Sequence, residues 1–179
     1  MFAKNARALA GAIEMSGENT RVLSKAGFWD LIQPCRRKLY NFILKSLNFS
    51  VEADDVFQEA VLHAFQYFAS FDQDRDFEPW LFAIAHNEIR HHYRRVANEA
   101  HLPELERPAA DDASHSRELV RDVFRYAGRL KSRQREIFFL FYDSGFSVAE
   151  IAALTGLGEG NIRFQLHRAR NALKKIMGA

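Results

Sequence analysis

Cysteine, proline and glycine are all scarce in this chain, at one, four and nine of 179 residues. A lone Cys35 excludes an internal disulfide and any cysteine-rich metal site, and it fits a reducing compartment. With so few chain breakers, and long apolar segments recurring at helical spacing, the expected class is all-α. No stretch approaches the ~18 apolar residues that a membrane span needs. The start, "MFAKNARALAGAIEMSGENTRVLSK", has its short apolar run broken by Gly11 and Glu14, so no secretory signal is read there and a cytoplasmic location is expected.

What is present is material for a core: 47% hydrophobic residues, including 16 Phe. That excludes disorder throughout. The net charge of +2 conceals a segregation. Residues 1–96 balance at 12 basic and 12 acidic side chains, 97–117 carry 2 against 5, and 118–179 carry 11 against 6. The basic excess at the C-terminal end is where a polyanion can be met.

The stretch "VANEAHLPELERPAADDASHSRE" holds Pro103, Pro108 and Asp111–Asp112 and has no apolar period. It reads as a flexible acidic linker that does not pack. Two small helical units flank it. In the first, "FWDLIQPCRRKLYNFILKSLN" places Leu31, Leu39, Phe42, Ile43 and Leu47 on a stripe, and Pro34 is expected to bend or split that helix. "EADDVFQEAVLHAFQYFASF" puts Phe57, Val61, Ala64, Phe65 and Phe68 on one face and Asp55, Gln58 and Glu59 on another. "DFEPWLFAIAHNEIRHHYRR" starts from Asp76 as N-cap with Pro79 in the first turn. Phe77, Leu81 and Ile84 then face the core, while Trp80, Asn87, Arg90, His91 and Arg94 face away.

In the second unit, "RELVRDVFRYAGRL" and "KSRQREIFFLFYDSG" are helices, the latter stopped by Gly145. Ser147 and Glu150 form a capping box before Ile151 and Leu154. "TGLG" is a tight turn, Ala152 suits a close helix crossing, and Ile162, Leu166, Ala169 and Leu173 form the stripe of the helix that follows. Helix, tight turn and helix together make a helix-turn-helix.

On that last helix, at about 100° per residue from Ile162, Arg163 lies near 100°, His167 near 140°, Phe164 near 200° and Arg168 near 240°. None of the four shares the core side. They occupy the face that a recognition helix offers to the major groove. Arg forks onto guanine or pairs with phosphate, and Phe can lie against a thymine methyl. The plainer alternative is a helical bundle with a basic outer face. Elsewhere "HNEIRHH" suggests metal binding, but His86 and His91 are five apart, about 140° around the helix, with no third ligand near, so no metal is expected. No phosphate loop, nucleophile–base pair or carboxylate dyad is present, and neither a cofactor nor enzymatic activity is expected.

Together, "ADDVFQEAVLHAF", "FEPWLFAIAHNEIRHHYRR" and "LKSRQREIFFLFY…SVAEIAALTGLGEGNIRFQLHRARNALKK", in this order and spacing, resemble the extracytoplasmic-function (ECF) group of bacterial sigma factors. The resemblance runs from Phe28 to Met177. It implies an all-α chain of two small domains: a sigma region 2-like bundle at 28–96 and a sigma region 4-like helix-turn-helix at 118–179. The acidic linker is 97–117, and 1–27 form an unassigned extension.

By that resemblance Asp54, Asp55, Gln58 and Glu59 dock on the β′ clamp helices of core RNA polymerase, and the second domain meets the β flap. Trp80, Asn87, Arg90, His91, Arg94 and Arg95 would read and melt the minus-ten element, with the loop 71–76 capturing a flipped base. Trp80 is also a candidate core residue. Arg163, Phe164, His167 and Arg168 would read the minus-thirty-five element. Further implied are promoter DNA as partner and an anti-sigma protein, in many members membrane-anchored, that sequesters the factor at the inner membrane. When active, the factor is nucleoid-associated. The rival functional class is a self-sufficient helix-turn-helix regulator that works without polymerase.

Many members carry Ser and Arg where this chain has Phe164 and Gln165, which implies an altered minus-thirty-five preference. Phe164→Ser is therefore expected to change base preference at that element in a promoter library, and an unchanged preference would reject this role for Phe164.

Overall fold

The computed structural model describes residues 25–100, 123–124 and 126–177. Among them there is no strand. The helices are α1 (Lys25–Ser46), α2 (Ala53–Tyr67), α3 (Phe77–Ala100), α4 (Ser132–Tyr142), α5 (Val148–Thr155) and α6 (Glu159–Met177), with a short 3-10 turn at Phe68–Ser70. No helix among the described residues is long and apolar enough to cross a membrane. Most of the segment read as a linker lies outside the described residues, as do 1–24. Residues 97–100 do not behave as linker, because α3 continues through them to Ala100.

In α1, Phe28, Ile32, Cys35, Leu39 and Phe42 are all buried. Their alternating spacing of four and three keeps one face inward along the helix. Pro34 does not split it, since α1 runs unbroken from Lys25 to Ser46. Pro34 and Asp30 are both exposed, so the Asp30 carbonyl that Pro34 cannot bond is left to water. Burial, and next the charge of Glu78, push the Cys35 thiol up.

The inward face of α2 differs in part from the expectation, of which Ala64 and Phe68 are buried. Ala53, Val56, Ala60 and Ala64 are buried, and Phe57, Val61 and Phe65 sit half-buried at the flanks. Because α2 packs against both α1 and α3, small side chains at the centre permit close approach, and rings fit only at the edges. Phe28 makes edge contacts with Phe65, Phe68 and Phe77 at 5.4, 5.1 and 6.1 Å between centroids. Of the α3 residues expected inside, Leu81 is buried, whereas Phe77 and Ile84 are half-buried.

From Ser132 onward the second unit is built as its sequence implies, whereas half of the helix expected over 117–130 lies outside the described residues. Ser147 Oγ accepts from Glu150 N at 3.2 Å, and Glu150 Oε2 accepts from Ser147 N at 2.7 Å. Gly145 and Gly156 adopt φ of 76° and 71°, the left-handed region that Gly enters without penalty. Gly156 caps α5, its N–H donating to Ala152 O.

The two units are not separate bodies. In α4, seven consecutive residues, Gln134–Leu140, are buried, because α6 and α5 pack on one part of its circumference and α1 on another. Such a helix is enclosed all round. Phe82 of α3 meets Phe146 at 4.9 Å, and Lys45 Nζ reaches Asp143 Oδ1 at 2.7 Å. At the centre is Arg135, 8% exposed. It donates through Nε to Ser46 O at 2.9 Å, through Nη1 to Gly128 O at 2.8 Å and Leu130 O at 3.1 Å, and through Nη2 to Tyr93 Oη at 2.7 Å. Tyr93 in turn donates to Ser46 O at 2.7 Å. Nearby, His86 Nδ1 is hydrogen-bonded to Glu136 Oε1, both side chains buried.

Replacing Arg135 by Met leaves two carbonyls at a buried junction without their donor and is expected to destabilise the chain by about 3 kcal/mol in urea unfolding. Ser147→Ala is expected to cost about 1 kcal/mol at pH 7. The hydrogen bonds from Ser147 hold the Glu150 carboxyl below its ordinary value. The charged half of the box is therefore fully present above the ordinary carboxylate range and is lost as pH falls through the depressed value. Urea titrations of wild type and Glu150→Gln should accordingly differ at pH 7 and converge in acid.

Candidate nucleic-acid interface

On α6, Ile162, Leu166, Ala169 and Leu173 are buried and fasten the helix to α4 and α5. Arg163, Phe164, His167 and Arg168 are exposed on the opposite side, Phe164 at 54%. Side chains on this wet face are tied to neighbours one turn away. Arg163 Nη2 meets Glu159 Oε2 at 3.0 Å, Gln165 Nε2 donates to Asn161 Oδ1 at 3.2 Å, and Asn171 Nδ2 lies 2.9 Å from His167 Nε2. The Arg168 guanidinium sits 5.6 Å from the Phe164 ring centroid. Such cation–ring contact holds both groups outward with little loss of freedom on binding.

The α3 set divides. Arg90, His91, Arg94 and Arg95 are exposed and Asn87 is half-buried. Arg90 and Arg94, four apart, line a cleft of about 240 Å³ facing α4 and the end of α5. Arg95 turns instead toward α2, 3.8 Å from Glu59. Trp80 is half-buried and packs against Phe71 at 4.9 Å and Phe77 at 5.4 Å, so part of its indole joins the core edge while the rest stays open. In the loop 71–76, Phe71 is buried while residues 72–76 are exposed, with Asp72 bridged to Arg75 at 3.2 Å.

Asp54, Asp55 and Gln58 are exposed and Glu59 is half-buried. Asp54 and Gln58 line a groove of about 520 Å³ with Gln33, Arg36, Arg37, Tyr40 and Phe57, whereas Asp55 and Glu59 fall outside it. The α1 half of this groove went unread in the sequence, although Gln33, Arg36, Arg37 and Tyr40 follow helical spacing. It gives the surface a mixed charge. Tyr40 donates to Asp54 Oδ1 at 2.8 Å, and this bond to the carboxylate pushes the phenol above its ordinary value.

In a spectroscopic pH titration Tyr40 is therefore expected to ionise late, and Asp54→Asn to bring it back toward 10.0. An unchanged titration in that variant would show that Asp54 does not hold the phenol.

The Sigma-70 region 2 family matches residues 31–99 and the Sigma-70 region 4 family matches 122–173. Among curated relatives, the ECF RNA polymerase sigma factor SigW of Bacillus subtilis is 29% identical, over 83% of this chain and 87% of its own length. The sigma factor EcfG of Rhodopseudomonas palustris is 31% identical over 70% of this chain and 71% of its own. The structure is similar to that of the sigma factor RpoE in complex with the anti-sigma factor NepR from Bartonella quintana. That similarity has a TM-score of 0.75 at 26% identity and covers 85% of this chain and 97% of that one. CnrH in complex with the cytosolic domain of CnrY gives 0.63 at 25% identity, over 97% of this chain and 94% of that one. With both region families matched in order, and curated relatives at this identity along most of its length, the chain belongs to the ECF group of RNA polymerase sigma factors.

Proposed function

We propose that this chain docks on core polymerase through the α1–α2 groove, reads and melts the minus-ten element with α3, and reads the minus-thirty-five element with α6. The observation that carries this reading is the division of α6 into an anchored apolar stripe and an outward face of Arg163, Phe164, His167 and Arg168. Arg168 and Phe164 are suited to a guanine edge and a thymine methyl. On α3 the exposed arginines suit strand phosphates. Asp54, Gln58 and the adjoining arginines suit a charged helical partner such as the β′ clamp helices, and the helix-turn-helix unit would meet the β flap. The chain supplies placement and grip, and polymerase supplies the phosphoryl chemistry.

The two DNA elements lie about 25 base pairs apart, roughly 85 Å at 3.4 Å per base pair. Packed helices lie about 8–10 Å apart, and α3 packs directly on α5. The arrangement described above therefore cannot hold both elements, and the units must separate on a promoter. Residues 101–122 number 22 and can reach about 75 Å if extended. With the width of the two units added, that covers the span. Conversely, a partner that binds both units while they are packed keeps the factor off DNA. A similar sigma factor has a structure in complex with an anti-sigma factor, and an anti-sigma partner is proposed here too. Such a partner, where membrane-anchored, would hold an otherwise cytoplasmic factor at the inner membrane.

The test is run-off transcription with purified chain, core polymerase and promoter DNA. Initiation at one start site that requires both chain and polymerase is expected. Arg168→Ala should lower promoter binding roughly tenfold to a hundredfold, and Asp54→Lys should weaken polymerase binding. Duplex binding at symmetric half-sites without polymerase would instead indicate an autonomous regulator.

A further inference from the structure

The cleft between α3 and the second unit collects more unmet hydrogen-bonding capacity than promoter reading calls for. Its α4 wall is the N-terminus of an 11-residue helix. There Lys131 makes no side-chain cap, the first turn has no acidic residue, and the first three N–H groups have no partner among the described residues. A helix start of this kind attracts an anion. Ser132 and Arg133 stand in this wall, and Arg90 and Arg94 face them from α3. His86 completes the lining. It is 6% exposed, its Nδ1 is taken by Glu136, and its Nε2 has no hydrogen-bond partner. Thus three guanidinium groups, an uncapped helix start and an unpartnered buried imidazole nitrogen meet in one place.

We infer that this cleft is a binding site for the phosphate or diphosphate group of a small ligand. Its 240 Å³ falls below the roughly 300 Å³ at which pockets for drug-sized molecules begin, so it admits the anionic group but not a whole nucleotide. The phosphate oxygens accept from the guanidinium and helix N–H groups. A hydrogen phosphate oxygen both donates and accepts, so it can pair with His86 Nε2 in either tautomer once the side chains that cover this nitrogen give way. The Glu136 carboxylate, the one acid in the lining, is already engaged by His86.

Because the site is made from both units, its ligand binds only while they are packed together, and occupancy shifts the chain toward that arrangement. It also takes up Arg90 and Arg94. A phosphate-bearing small molecule would thereby hold the factor off promoters without any protein partner.

The test is calorimetric titration of inorganic pyrophosphate into the full chain at constant ionic strength, with potassium chloride as control and Arg133→Ala as variant. Arg133 is exposed and belongs to none of the promoter- or polymerase-contacting sets. Saturable one-site binding and a rising unfolding temperature are expected, and Arg133→Ala should weaken the binding roughly tenfold or more. The inference is overturned if no saturable heat appears, if chloride reproduces it, or if Arg133→Ala binds as wild type. Promoter DNA is absent from this measurement, so its outcome is independent of whether α3 reads the minus-ten element.

Discussion

One carbonyl oxygen, that of Ser46 at the end of α1, accepts from both Arg135 of α4 and Tyr93 of α3. Arg135 also bonds Tyr93 and the chain just before α4. A guanidinium removed from water this far is tolerable only when its donors are all but fully used, as four hydrogen bonds ensure here. This junction fixes where the second unit sits on the first. The flanking contacts, Phe82 on Phe146, Lys45 with Asp143 and His86 with Glu136, follow from that placement. The junction is polar, and water can take over each of its bonds when the units part. The apolar contacts beside it, Phe82 on Phe146 and the face that α4 turns to α1, offer no such exchange and resist opening.

Much of this was legible in the sequence because the relevant signals are local. The capping box at Ser147 and Glu150, the left-handed Gly156 and the stripe of Ile162, Leu166, Ala169 and Leu173 depend on residues within a turn or two. The outward face of α6 follows from the same periodicity. What was hidden depends on partners far along the chain. Arg135 and Glu136 look like solvent-facing charges until α3 and the end of α1 are brought against them. Ala53 and Ala60 look less core-like than Phe57 until two helices close on α2. The packing of Trp80 against Phe71 and Phe77 likewise appears only once the loop folds back onto α3.

The run "REIFFLF" held a sign that went unread. It is apolar around most of its circumference, which a helix facing one core does not need. That pattern means burial on more than one side, and α4 is the element that both units share. The division of α3 has the same origin: Arg90 and Arg94 belong to the cleft between units, while Arg95 faces Glu59 within the first unit. One helix therefore divides its charges between the cleft and the first unit, and under the proposed function a different set would be accessible in each arrangement.

The proposed function requires these units to be latched together alone and parted on DNA. The direct measurement is the distance between spin labels at two exposed sites, Gln66 on α2 and Lys174 on α6, in the free chain and in its complex with polymerase and promoter. A single short distribution that moves outward by tens of ångströms in the complex, as the spacing of the two elements along the duplex requires, is the predicted result. An identical distance in both states would contradict it.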